Sequence, residues 1–153
     1  MHQFILENFQ VTELTTTVIL RHSPEIADTH QRGYFDIQPQ SIELNYAAFI
    51  LATGQTESRS VLVEQNYHTL KLSCGCNGVK NRLCDHQIQV LHNLMNRKEL
   101  RLFFDKNLRY ERIRQAAKDF GLENESDPDA YFVLNYINKE VQIKPKLKEL
   151  VIA

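Results

Sequence analysis

All three cysteines of this 153-residue chain fall inside one short stretch, and a histidine closes the set: Cys74-Gly75-Cys76, seven residues, then Cys84-Asp85-His86. Three thiolates and one neutral imidazole are the donor set of a closed, tetrahedral Cys3His shell. The ion such a shell suits best is Zn2+. With four protein donors no coordination position stays open for a substrate, so the chemistry expected is structural. Gly75 and Gly78 are expected to let the backbone turn tightly enough to aim the first two sulfurs at one point. The loop to Leu83 then delivers the second pair.

Two rival readings of the same residues stand beside the zinc site. One is a set of buried or redox-active thiols with an unrelated histidine; a Cys74–Cys76 disulfide would leave Cys84 over. The other is a three-Cys, one-His iron–sulfur cluster. One such family also runs Cys-x-Cys and then Cys-Asp, but sets its histidine four residues after the last cysteine. Here His86 follows Cys84 by two and position 88 is Ile, which counts against the cluster.

The pattern Cys74-x-Cys76…Cys84-x-His86 resembles the SWIM zinc finger, a module found in Swi/Snf-type helicase ATPases and mutator-type transposases. Its surroundings are similar too: two β-like stretches before the first pair and an apolar helix after the histidine. The resemblance implies a ββα fold and a role in binding DNA or protein. It covers about a quarter of the chain, from Arg59 to Met95. A looser similarity, through Gly33-Tyr34-Phe35 and the run Ile42 to Leu51, extends to the segment that often precedes a bacterial SWIM finger.

The elements that must hold these ligands can be read from periodicity. Arg59–Gln65 and Tyr67–Ser73 read as an antiparallel pair of strands, with Leu70 and Leu72 sharing parity with Cys74. After Cys84 the period changes: Ile88, Leu91, Leu94 and Met95 recur at helical spacing. Asp85 is the expected N-cap, with His86 in the first turn. His92 falls on another face of that helix, and His2, His22, His30 and His68 read as surface or satisfied histidines. Upstream, the β-branched run within Val11 to Arg21 favours a strand. Ser23-Pro24-Glu25 reads as a helix start with Gly33 as its end. Ile42 to Leu51 alternates as one strand, and Gly54-Gln55 marks a turn. Downstream, Lys98–Phe104 and Asn107–Phe120 read as helices, the latter closed by Gly121, with Phe103 and Phe104 in the core. Asp127-Pro128 starts a short turn within an acidic stretch. Tyr131–Ile137 and Glu140–Lys144 form a hairpin about Asn138-Lys139.

The expectation is therefore an α+β protein: an antiparallel, strand-rich amino-terminal part leading into a ββα zinc finger, then helices and a carboxyl-terminal β-hairpin. The divisions expected are 1–58, a strand-rich segment packed on the finger; 59–96, the finger; 97–121, a basic helical segment; and 122–153, an acidic loop and hairpin. The apolar end Val151-Ile152-Ala153 is odd for a free terminus and reads as leading to a further domain.

Net charge is −1, which says nothing for nucleic acid, but its distribution is uneven. From His68 to Lys118 there are eleven Lys and Arg against four Asp and Glu; elsewhere acids predominate. Lys71, Lys80, Arg82, Arg97, Lys98, Arg109, Arg112 and Lys118 are the candidate phosphate contacts. The expected function is a zinc-binding accessory module that contacts nucleic acid, most simply a DNA backbone, for a larger helicase or ATPase. The alternatives are a protein-docking module, seated on the parent helicase core or another protein, and a redox or iron–sulfur carrier. The first residues show neither a basic n-region nor a long apolar core, so no secretory signal is expected; no apolar run reaches membrane-spanning length, and the clustered cysteines suit a reducing cytoplasm.

Catalytic readings find little support. A metal at the cluster would engage every thiol, no carboxylate pair stands out, and the five glycines make no phosphate loop. Cys84-Asp85-His86 offers neither the glutamate nor the open position that a zinc deaminase uses. The chain reads as a binding module with no catalytic residues and no small-molecule substrate; any ATPase would lie outside it.

Overall fold

A computed structural model describes residues 1–24, 36–52, 58–122, 124 and 126–146. The architecture is α+β. Five antiparallel strands, β1 (His2–Glu7), β2 (Asp36–Glu43), β3 (Tyr46–Ala52), β4 (Ser58–Gln65) and β5 (Thr69–Cys74), lie in the order β1-β5-β4-β3-β2. Among the described residues four α-helices accompany them: α1 (Thr16–Arg21), α2 (Asp85–Asn96), α3 (Lys98–Arg101) and α4 (Lys106–Ala117). A separate hairpin, β6 (Phe132–Ile137) with β7 (Glu140–Pro145), ends the described chain near β2.

One face of the sheet is the core. Phe4, Phe49, Val61, Val63, Leu70 and Leu72 point to it, and α2 lays Ile88, Leu91 and Leu94 over β4 and β5. The parity argument holds: Leu70, Leu72 and Cys74 are all buried on that side. Phe103 and Phe104 are core residues, as expected. Gly121 closes the helical stretch at φ 69°, the left-handed region glycine enters most easily. Asn138 and Lys139 both have positive φ (54° and 65°), the pair that a tight two-residue hairpin turn needs.

Four local readings are corrected. First, the β-branched run is not a strand. Thr15 caps α1 by accepting a bond from the Val18 amide at 3.1 Å, and the helix buries Ile19 completely. A cap and one well-packed side chain outweigh the small helix penalty of threonine and valine. Secondly, Ile42 to Leu51 is two strands. Glu43 pairs with Tyr46, and Asn45 turns the chain at φ 59°. Asparagine tolerates that region without the glycine that would have announced a turn.

Thirdly, β1 was not foreseen; it pairs along its length with β5, His2 opposite Cys74 and Glu7 opposite Thr69. Fourthly, the N-cap of α2 is Cys84 and not Asp85. Ser23 turns its hydroxyl back onto the Ile19 carbonyl at 2.7 Å. The rest of the helix expected there, Gly33-Tyr34-Phe35, the Gly54-Gln55 turn and the last seven residues lie outside the described residues.

Candidate metal centre

Three structural decisions bring the four ligands together. Strand β5 ends on Cys74, whose side chain is on the core face and almost wholly buried. The chain then loops through Cys76 and returns to Cys84, which starts α2. His86, in the first turn of α2, brings its ring to the same point. The four ligand atoms all lie within 4.8 Å of one another. His86 Nδ1 stands 3.9 Å from Cys84 Sγ. A tetrahedral zinc–thiolate shell has edges of about 3.8 Å at a Zn–S length of ~2.3 Å. The group therefore fits one metal ion with a small inward adjustment.

Electrostatics within the thiol group favour uptake of a cation. A hydrogen bond from Cys84 draws the Cys74 thiol well below the usual thiol range, against the opposing effect of burial. The same contact, with burial second, pushes Cys84 up. Burial raises Cys76. Thiol hydrogen bonds thus converge on Cys74, and a divalent cation bound there would take over their stabilising role and displace the thiol protons.

The loop is fixed from outside the ligand set. Cys84 Sγ accepts a hydrogen bond from the Gln87 amide at 3.3 Å, and Gln87 Oε1 accepts one from the Cys84 amide at 3.0 Å, a reciprocal capping box built on sulfur. Gln87 Nε2 donates to the His2 carbonyl at 3.1 Å. His2 Nε2 lies 2.6 Å from the Arg82 carbonyl; a carbonyl only accepts, so Nε2 carries the proton. Leu83 N donates to the His22 carbonyl at 2.8 Å, and Arg82 Nη1 to the Arg21 carbonyl at 3.0 Å.

The glycines play parts other than those expected. Neither Gly75 nor Gly78 has positive φ; the left-handed residue of the loop is Asn81, at φ 64°. Gly75 has open space where a Cβ would go, whereas a Cβ on Gly78 would sit 2.7 Å from the His2 ring. Gly78 is needed for close approach, and Gly75 for neither reason. Sequence reading missed His2 and Gln87. The glutamine three residues after Cys84 was the available signal, because that spacing is the capping-box pattern.

The eight candidate phosphate contacts do not form one track. Lys80 is exposed on the metal loop, with Arg82 half-buried close by. Lys71 is on β5, opposite Glu64 and Ile5, with its side chain on the sheet face away from the core. Arg97 bonds to Glu99 at 3.1 Å and to Tyr136 Oη at 2.9 Å. Lys98 and Arg112 share one cleft with Glu99, Glu111, Lys139 and Glu140, a lining of balanced charge. Lys118 is exposed at the end of the α4 stretch. Arg109 is the correction: it is 5% exposed and engaged by Asp129 and the Leu102 carbonyl. Its place in a basic run hid the fact that the acidic stretch folds back onto α4.

Among the described residues no helix is long and apolar enough to cross a membrane. Comparison with protein-family models, with curated proteins and with solved structures gave no match to this chain.

Proposed function

We propose that this chain is a zinc-binding module of the SWIM kind. Its closed Cys3His centre would fix a loop against the sheet, and that loop would contact a nucleic-acid backbone on behalf of a larger helicase or ATPase. The observation that carries the metal part is the convergence of Cys74, Cys76, Cys84 and His86 within 4.8 Å of one another, drawn from a strand end, a loop and a helix start. Zinc is favoured over softer or redox metals by the mixed thiolate–imidazole set in tetrahedral reach. When bound, the ion supplies a fixed, fourfold cross-link and no reactive position. Cys74 and Cys84 hold the strand and helix ends together; Cys76 and His86 close the shell.

The nucleic-acid part rests on the exposed loop. Asn77, Val79, Lys80 and Asn81 are all open to solvent, and Lys80 is a point charge free of the carboxylate-lined cleft that holds Lys98 and Arg112. Backbone contact by one or two cations predicts weak binding without base specificity. A second reading, docking on a protein such as the parent helicase core, has its own observation: Val79 at the loop tip is 60% exposed, an apolar residue among polar neighbours. A reducing, cytoplasmic setting fits either reading, since the thiols must stay reduced to hold the ion.

Two measurements test the proposal. Metal analysis of the purified, colourless protein should give one zinc per chain; colour and iron would replace it with a cluster. Fluorescence anisotropy with labelled single- and double-stranded DNA should then show weak binding that falls about 3- to 12-fold between roughly 50 and 200 mM salt, the dependence of one or two phosphate contacts, and that drops in the zinc-loaded Lys80→Ala variant. Zinc-loaded, folded protein that ignores both DNAs at low salt, together with loss of partner capture in Val79→Asp, would transfer the function to protein docking.

A further inference from the structure

Strand β1 precedes the candidate ligands by some seventy residues, yet it touches the segment that carries them at three points. The His2 ring is 7% exposed and hydrogen-bonded to the Arg82 carbonyl, two residues before Cys84. The His2 carbonyl accepts from the fully buried Gln87, whose amide and carboxamide oxygen bind the thiol and backbone of Cys84. The ring also fills the space against Gly78, between Cys76 and Cys84, so closely that a single methyl group there would clash. The strand itself is held to β5 opposite Cys74, so His2 sits in register with the first ligand.

We propose that His2 and Gln87 are positioning residues for the metal centre, and that docking of β1 and binding of the metal are one linked equilibrium. This rests on the metal reading above. His2 fixes both ends of the ligand loop, by its ring at Gly78 and by its hydrogen bond at Arg82. Gln87 transmits the position of β1 to the Cys84 sulfur. Ligands placed in advance lose less freedom when the ion arrives, so breaking the clamp lowers affinity without removing a donor. By linkage, the ion must stabilise the docked strand as much as the docked strand stabilises the ion.

The test uses the full chain, titrated with Co2+ and then back-titrated with Zn2+ against a competing chelator. Wild type should take up one Co2+ with an intense thiolate charge-transfer band and a tetrahedral d–d envelope. His2→Phe, which keeps a flat ring, somewhat larger than imidazole, but loses the N–H, and Gln87→Met should each weaken Zn2+ affinity by about 10- to 100-fold at unchanged stoichiometry, as loss of an outer hydrogen-bond partner does at other zinc sites. His2→Gln, which can still donate to the Arg82 carbonyl, should recover part of the loss. Gly78→Ala should weaken binding alone but add nothing in a His2→Ala background, where the clash is gone. Metal addition should slow amide exchange in β1 of wild type and not in Gln87→Met.

Wild-type affinity in His2→Phe and Gln87→Met would overturn the clamp. So would additive effects of Gly78→Ala and His2→Ala. Should the His2 or Gln87 variants fail to fold, Gly78→Ala decides alone, because the atoms nearest its new methyl group are those of the His2 ring: unchanged affinity rejects the proposal. A wild type that binds no Co2+ at all rejects the metal reading itself, a result distinct from every failure of the clamp.

Discussion

The Arg109 guanidinium meets the Asp129 carboxylate along a two-point edge, with Nε 3.0 Å from Oδ1 and Nη2 2.9 Å from Oδ2. Its third donor position, Nη1, is taken by the Leu102 carbonyl at 3.1 Å. The arginine side chain is 6% exposed and the aspartate 22%. This pair joins α4 to the acidic stretch and leaves Arg109 no reach towards solvent. Asp129→Ala would strand a buried cation and should lower unfolding free energy by about 3 kcal/mol, measured by urea denaturation. Replacing both partners, Arg109→Met with Asp129→Leu, should recover most of that loss. A single-variant cost near zero would mean the pair is solvated and the burial argument wrong.

Chelation tests the metal's structural weight. Structural zinc contributes on the order of 10 kcal/mol to small zinc modules. Excess EDTA should therefore lower the thermal midpoint strongly and loosen the residue 75–86 loop first, as seen by amide exchange. Cys84→Ser separates two jobs of one side chain. Serine is a good N-cap, so α2 should persist, while zinc stoichiometry falls. Persistent wild-type zinc affinity in that variant would remove Cys84 from the ligand set.

Tyr110 gives a pH signature. Burial first, then its hydrogen bond to Asp127 at 2.9 Å, push its phenol up to about 12. An unfolded tyrosine ionises near pH ~10. The folded state therefore keeps a proton that the unfolded chain releases. The stabilisation is complete below pH ~10 and is lost as pH rises through about 12. Ultraviolet difference titration of wild type against Tyr110→Phe should show the missing phenol to be a late one, and Asp127→Asn should bring its ionisation earlier. A phenol titrating with the exposed tyrosines would refute the assignment.

Gln65 ties the amino-terminal turn to the sheet. Its Nε2 donates to the carbonyls of Phe9, Asn66 and Thr69 at 2.9, 3.0 and 3.1 Å, and its Oε1 accepts from the Val11 amide at 2.9 Å. Gln65→Leu fills similar volume but takes away the partner of the buried Val11 amide and a donor to the Phe9 carbonyl. A cost of about 2–3 kcal/mol is expected from chemical denaturation. A stability change within experimental error would show that water replaces the carboxamide.

The Cys/His cluster was legible because cysteine is rare here and its spacing is narrow; Cys74, Cys76, Cys84 and His86 converge as the pattern suggested. The strands flanking it were legible because Leu70 and Leu72 alternate with Cys74. The terminal hairpin was legible in Asn138-Lys139. What escaped was non-local. Nothing near His2 in sequence says that it will lie beside Gly78, and nothing near Arg109 names Asp129. Thr15 and Asn45 escaped for a different reason: each is a polar residue that serves equally in a strand, a cap or a turn, and only the surrounding packing chooses.

The register of β5 has a consequence for quality control of the fold. Leu70, Leu72 and Cys74 face the core because β5 pairs with β4 at Val61↔Cys74 and with β1 at His2↔Cys74. A slip of one residue would turn all three to the opposite face. Cys74 would then point away from Cys84 and His86, and the ion would lose its first ligand. On the metal reading proposed above, uptake would act as a checksum on strand pairing: a misregistered sheet would offer three ligands in place of four and hold the ion more weakly.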